Sequence, residues 1–454
     1  MSDNLTLETL KSMVAEGRID TVITCFADMQ GRLQGKRFHA AHFVNGGHEE
    51  THCCNYLIAL DMEMVTVPGY KSSSWEKGYG DYTMKPDLST LRLCGWEPGC
   101  AMVLCDLYDH ETHALVPHAP RSVLRAQVDR ARAMGYDVAM ATELEFFLFE
   151  ESYTKAFDTG YRTLTPNARH NIDYAIFGAS KDEVVMRPLR NALYASGIHV
   201  ECAKGEAEAG QEEINAKYSD AIDTADTHSI IKLATKECAQ KVGLSATFMA
   251  KYHHAKAGSS SHVHQSLWKD GEPAFLDTSD AHGMSDVMKH FLAGQLKHAR
   301  EITYFLAPYV NSYKRFVVGM FAPTKAVWST DNRTAGFRIC GTGTKAIRVE
   351  CRIGGADLNP YLALAALLAA GLEGVAAKLP LEREAKGDLY AAGQVREVPK
   401  TIDEAIEALK DSTMLRNAMG DDVVDHYVHC GAWEIRERDR VVTDWEVARG
   451  FERA

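Results

Sequence analysis

Leu7, Leu10, Met13 and Val14 recur at helical spacing and Gly17 follows, which predicts a short amphipathic helix with a glycine stop. From residue 19 to 110 the pattern turns β-rich. Val22–Ala27 is a strand-like run, Met29–Leu33 reads as a hairpin turn around Gly31, and Met102–Cys105 is a further apolar run. The stretch His113–Arg121 holds Pro117, Pro120 and several polar residues. A domain boundary is expected there, dividing the chain into 1–112 and 113–454. Pro120 opens a helical pattern to about Met134. Beyond Gly135, runs of period 2 alternate with long helical patterns. Asn359 ahead of Pro360 predicts a capped helix start.

Three period-2 segments put polar groups where a buried strand would place apolar ones. Glu143, Glu145 and Phe147 share one face; so do His262, His264 and Ser266, and so do Arg348, Glu350 and Arg352. Neighbours on such a face lie roughly 7 Å apart. Each segment alone also fits a solvated sheet face. Together they suit a divalent-cation site that handles anions, because buried carboxylates need cations or hydrogen bonds. Oxygen-rich ligation with a histidine favours Mg²⁺ or Mn²⁺. Glu206, Glu208, Glu212 and Glu213 add acids in a segment that alone would read as an acidic surface loop. Arg315, Arg333 and Arg338 add planar forks suited to carboxylate and phosphate oxygens.

Composition narrows the field. A net charge of −12 argues against binding driven by nucleic-acid phosphates. At 46% apolar the chain carries enough material for a large core, so disorder is excluded as the main state. The length of 454 residues allows from one to about three domains. Eleven cysteines without CxxC spacing suggest reduced thiols. A zinc site at His52, Cys53 and Cys54 lacks a second half. With no secretory pattern near the start, and the apolar run Tyr361–Leu372 ended by Glu373, the expectation is a cytoplasmic protein with no membrane span. There is no GxxxxGK[ST], GxGxxG or G-x-S-x-G; Gly341–Lys345 lacks phosphate-loop spacing.

In order along the chain, Gln30-Gly31-Arg32-Leu33-Gln34-Gly35-Lys36, Lys85-Pro86-Asp87-Leu88-Ser89-Thr90 and the acidic and arginine segments above resemble the glutamine synthetase family, from about Met29 onward. The resemblance implies an α+β fold, with an N-terminal β-grasp domain and a catalytic domain built on a curved antiparallel sheet with flanking helices. It implies a homo-oligomer, commonly a dodecamer of two stacked hexamers, with sites between subunits. By motif, Glu145, Glu206 and Glu213 would hold one metal, and Glu143, His262 and Glu350 another, two or more Mg²⁺ or Mn²⁺ per site. Arg315, Arg352 and Gly258 would bind glutamate. Arg333 would act in catalysis. Arg338, Arg348, His264, Ser266, Lys345, Glu201 and Tyr218 would bind ATP as co-substrate.

The chain departs from the family at the amine site. An Asp-Gly-Ser-Ser stretch is replaced by Val67–Trp75, which has no aspartate. The glutamate that precedes Ala-Pro is replaced by Phe321, ahead of Ala322-Pro323. An aromatic there removes ammonium's counter-charge but can hold an alkylammonium by cation–π contact and bury its carbon. The tract from Tyr70 through Trp75 to Asp81 is similar to that of the γ-glutamylmethylamide synthetases of the family. The expectation is a glutamate–alkylamine ligase, methylamine first, with Phe321, Tyr70 and Trp75 lining the amine pocket. Ammonia, ethanolamine and polyamines are the alternatives, and a non-catalytic scaffold or regulator is a reading of another class. Glu208 and Glu212 are open candidates for the base. Ala257 replaces the asparagine usual before Gly258, and the context of Tyr390 departs from that of the family's modified tyrosine.

Overall fold

The computed structural model describes residues 5–391, 393 and 395–454. The first helix, Leu7–Ala15, is capped by Thr6, whose Oγ1 accepts from the Thr9 amide at 3.1 Å, and buries Leu10 and Met13. Gly17 follows in the left-handed region at φ +71°. The first sheet runs Leu33–His39, Thr21–Ala27, Cys100–Asp109, Asp81–Pro86, Thr51–Cys54, with Arg92–Leu93 beside Cys100–Asp109. Its Thr21–Ala27 and Cys100–Asp109 strands are parallel and its other pairs antiparallel. This N-terminal sheet domain fits the β-grasp domain expected there.

The second sheet carries the chemistry. Its order is Trp328–Thr330, Phe337–Cys340, Arg348–Cys351, Val263–Lys269, Asp137–Phe149, Gln211–Ala216, Val200–Gly205. The expected antiparallel pairing needs one correction, since Trp328–Thr330 and Phe337–Cys340 run parallel. The 13-residue strand Asp137–Phe149 is the spine, pairing with Val263–Lys269 along its first half and Gln211–Ala216 along its second.

Helices cover this sheet. Pro360–Ala376 is apolar all round and packs against Asp286–Lys297 and Pro120–Ala133. An 18-residue window from Pro360 has a mean hydropathy of 1.6, yet 78% of it is buried within the protein, so its apolarity serves the core. At the crossing, a Cβ on Gly294 would stand 2.1 Å from the Ala370 carbonyl oxygen, so only glycine allows this approach. Asn359 caps the helix as expected. Its Nδ2 also donates to the Asp28 and Met29 carbonyls at 3.0 Å, tying the N-terminal hairpin turn to the core. Buried Arg121, on the helix Pro120–Ala133, ties the first sheet to the helix Ala221–Lys241 by pairing with Asp87, Asp106 and Asp226 at 2.6–3.0 Å. Paired on three sides, its charge is held well desolvated. All eleven cysteines are free.

Candidate active site

Strand register brings the polar faces together. Glu145 lies opposite Glu213, His264 opposite both Ala141 and Glu350, and Arg338 opposite Glu350. The Glu143 amide donates to the His262 carbonyl at 3.0 Å, which seats His262 beside Glu143 just ahead of its strand. Three ligand groups result among the described residues: the two expected by motif, and His264/Cys340/Glu350, which shares Glu350 with the first. In each of Glu143/His262/Glu350 and Glu145/Glu206/Glu213, one oxygen or nitrogen per residue lies within 4.8 Å of the others. Among the described residues, none of the groups that could hold a metal contains His52, Cys53 or Cys54.

The donor set fits hard divalent cations. His262 Nδ1 is 2.6 Å from Glu143 Oε2, and its buried Nε2 has no hydrogen-bond partner. With the proton on Nδ1, the Nε2 lone pair is free for a metal ion. The rest is carboxylate oxygen, which suits Mg²⁺ and Mn²⁺. His264 is oriented from both sides. Arg348 Nε donates to its Nδ1 at 3.1 Å, so Nε2 carries the proton and donates to Glu143 Oε1 at 2.8 Å. Glu350, wholly buried, accepts from Arg338 at 3.0 Å and from Arg352.

Charge is distributed unequally between the groups. Burial opposes ionisation of Glu143, but hydrogen bonds from His262 and His264 hold it well below the usual range. Burial is likewise overcome at Glu350, where Arg352 and the two histidines hold it at about 2. In the other group burial wins. Glu145 is pushed well up by desolvation and by repulsion from Glu206 and Glu213. Glu213 is pushed up to about 8 by desolvation and Glu143, against the pull of Lys204.

Two cavities meet at Glu143. The larger, about 600 Å³, is lined by Glu201, Tyr218, His264, Ser266, Lys345 and Arg348, six of the seven residues expected to bind ATP. The smaller, about 200 Å³, is lined by both ligand groups except Glu350, and by Gly258, Phe321, Arg333, Arg338 and Arg352. Arg338 therefore stands between the ligand group and the smaller pocket, not on the larger cavity. A Cβ on Gly258 would lie 2.6 Å from Arg315 Cγ, so glycine is needed for the loop to pass there.

Several expected residues lie elsewhere. Arg315 is 1% exposed and absent from the pocket wall. Its guanidinium donates to the Ile353 and Arg352 carbonyls and Ser260 Oγ, at 2.8, 3.2 and 2.9 Å, which braces the floor. Tyr70 does not reach Phe321 either; its ring is buried between His426 and His429, where an apolar face is better satisfied. Trp75 is 76% exposed and packs edge-on against Tyr79, outside the pocket of its own chain. Glu212 points to the other face of its strand, buried near Asp182 and pushed up to about 9, and Glu208 pairs with Lys256 at 3.0 Å. Neither lines the pocket.

The structure adds residues that the alternation argument passed over. Trp268 lines the larger cavity, two positions beyond Ser266 on the same strand face, and its Nε1 donates to Ser266 Oγ at 3.0 Å. Gln211, two before Glu213, donates to Glu145 and to the Gly258 carbonyl. Both follow period 2 and were legible. Lys204, paired with Glu206, and Asp173 with Tyr174 come from a neighbouring strand and a loop, where no local pattern marks them.

The family described as glutamine synthetase, catalytic domain, matches residues 117–450. The chain belongs to the glutamine synthetase family. It is a carbon–nitrogen ligase, and the family implies use of ATP and divalent metal. It is 46% identical to the gamma-glutamylethanolamide synthetase GlnA4 of Streptomyces coelicolor over 99% of this chain and 96% of the relative. It is 34% identical to the glutamate–isopropylamine ligase of a Pseudomonas species over 97% and 96%. The solved structure of apo GmaS superposes with a TM-score of 0.85 at 25% identity, covering 98% of this chain and 99% of that one.

Proposed function

We propose that the protein uses ATP to join the γ-carboxylate of glutamate to a small primary alkylamine, giving a γ-glutamylamide, ADP and phosphate. The observation that carries this reading is Phe321, on the wall of the pocket that holds both ligand groups, at the place where ammonia-using relatives carry a glutamate. Its backbone is left-handed, at φ +57°, and its ring 63% exposed. A bulky side chain rarely adopts that conformation without a reason in its surroundings.

In the first step a γ-carboxylate oxygen attacks the γ-phosphorus and the bond to ADP breaks. In the second, the nitrogen of the neutral amine attacks the acyl carbon of γ-glutamyl phosphate, the bond to phosphate breaks, and the proton lost by nitrogen leaves with the phosphate as HPO₄²⁻. Arg333, Arg338 and Arg352 ring the smaller pocket and offset the anionic charge of both acyl and phosphoryl groups. His264, with Arg348 behind it, and Trp268 hold the nucleotide side of the cavity. Two or more Mg²⁺ or Mn²⁺ ions, held by Glu143/His262/Glu350 and Glu145/Glu206/Glu213, supply charge neutralisation when bound. Sites between subunits of a ring assembly belong to the same reading. Exposed Trp75 is free to meet a neighbouring copy, and buried Tyr70 is not.

Ethanolamine is the first amine supported, by the relative of 46% identity named for it. Methylamine is the second, supported by the Tyr70–Asp81 tract. The test is ADP release with ATP, glutamate and Mg²⁺ against ammonium, methylamine, ethylamine, isopropylamine, ethanolamine and putrescine at equal concentration. A small alkylamine well ahead of ammonium is expected; ammonium in front rejects the reading.

A further inference from the structure

We propose that Asp173 is the carboxylate that receives the incoming amine, as its ammonium ion, with Phe321 meeting the carbon end. The inference rests on the ligase reading above and names the group that selects the amine. Five carboxylates line the smaller pocket: Glu143, Glu145, Glu206, Glu213 and Asp173. The first four belong to the two ligand groups, and Asp173 to neither. Its side chain is 44% exposed, and among the described residues its carboxylate accepts no hydrogen bond. The contact it does have is a loose one, Oδ1 to Lys204 Nζ at 3.9 Å. A pocket carboxylate with its acceptor positions unfilled suits an incoming alkylammonium, which it can hold until the ion gives up a proton and becomes the neutral, nucleophilic amine.

Lys204 shows that the corner accommodates such a cation. Its side chain is itself a primary ammonium on an alkyl stem. Nζ stands 4.6 Å from the centroid of the Tyr174 ring, inside cation–π range, and also faces Asp173. Tyr174 and Phe321 are 70% and 63% exposed, so both rings keep open faces toward a ligand. The loop is anchored. Asn171 Oδ1 accepts from the Asp173 amide at 2.9 Å, while Asn171 Nδ2 donates to the Ala207 carbonyl at 3.0 Å, next to Glu206. Thus the acid absent at position 321 is supplied from another loop, and the same pocket offers both a carboxylate outside the ligand groups and an aromatic ring at Phe321. An alkylammonium has an end for each; ammonium has only the charged one.

The test is steady-state kinetics of Asp173→Asn with the amine that the wild-type protein uses best. The Michaelis constant for the amine is expected to rise at least tenfold, on the order of a lost charged hydrogen bond. Those for glutamate and ATP stay within twofold, and Asp173→Glu recovers most of the loss. An unchanged amine constant, or an equal rise for all three substrates, overturns the assignment and leaves the ligase reading standing. A wild-type protein that turns over no small amine rejects both, and that panel is run first. Asp173 is half-exposed and its loop is held by Asn171, so thermal unfolding of the Asn variant is expected to match wild type. A variant that fails to fold passes the decision to Asp173→Ala, which also removes the charge: an amine constant raised alone supports the role, and an unchanged one overturns it.

Discussion

Glu143/His262/Glu350 and Glu145/Glu206/Glu213 are two ligand groups of similar size on one sheet, and they differ in how their charge is held. The first has its counter-ions built in. Arg338 and Arg352 fork onto Glu350, and His262 and His264 flank Glu143, so its acids stay ionised in the metal-free protein. The second has Lys204 on Glu206, while Glu145 and Glu213 face each other in a desolvated corner and are pushed toward the neutral form. The lesson is that a shared carboxylate motif does not imply a shared electrostatic state. The first group is preorganised, whereas the second is incomplete until a cation arrives.

Substitution separates the two most sharply. Glu350→Gln is expected to lower kcat about 10³-fold, and to lower the unfolding temperature of the metal-free protein by leaving buried Arg352 without its carboxylate and part-buried Arg338 with Asp331 alone. Glu145→Gln is expected to lower kcat about 10²-fold yet raise the metal-free unfolding temperature, because it relieves repulsion. Calorimetry in chelator reads both, and shifts of the same sign would break the contrast.

Phe321→Glu comes next. It restores a counter-charge for ammonium, and the ratio of kcat/KM for the best alkylamine to that for ammonium is expected to fall about 50-fold. A ratio that does not move would mean that selection lies elsewhere in the pocket. Trp268→Ala should raise the Michaelis constant for ATP about tenfold while leaving that for the amine alone, since it removes an aromatic wall from the larger cavity only.

The smallest effect is one of pH. Glu213 titrates near 8 in the metal-free fold against about 4.5 for an ordinary glutamate. A raised value contributes stability that is full below about 4.5 and is lost as pH rises through 8. Metal-free protein should therefore lose a few degrees of unfolding temperature between pH 5 and 8. Mg²⁺ should add more stability at pH 8 than at pH 5, and differential scanning fluorimetry with and without chelator checks both. A Mg²⁺ effect independent of pH would contradict the picture of an incomplete second group.

Much of the site was legible along the chain because a strand places every second residue on one face. Glu143 with Glu145, His262 with His264 and Arg348 with Glu350 are local consequences of that geometry, as was Trp268, which the same rule would have found. Arg315 shows where such reading stops. Its motif marks a substrate contact, yet the buried carbonyls of Arg352 and Ile353 take its donors. Tyr70 fails similarly, because burial against His426 and His429 is a contact made more than 350 residues away in sequence.

The sequence alone determined the period of the three strands that carry the site, which acids, histidines and arginines share a face there, and the capped start of the core helix at Asn359; resemblance to the family grouped the ligands and marked Phe321 as the place of a lost acid. The first of these depend on neighbours within a few positions, where backbone geometry leaves little choice. Tertiary structure decided which faces meet, that one ligand group is neutralised and the other is not, and that Asp173 enters the pocket. Those outcomes depend on strand register, on desolvation and on a loop from outside the sheet, all set by contacts between segments far apart in the chain.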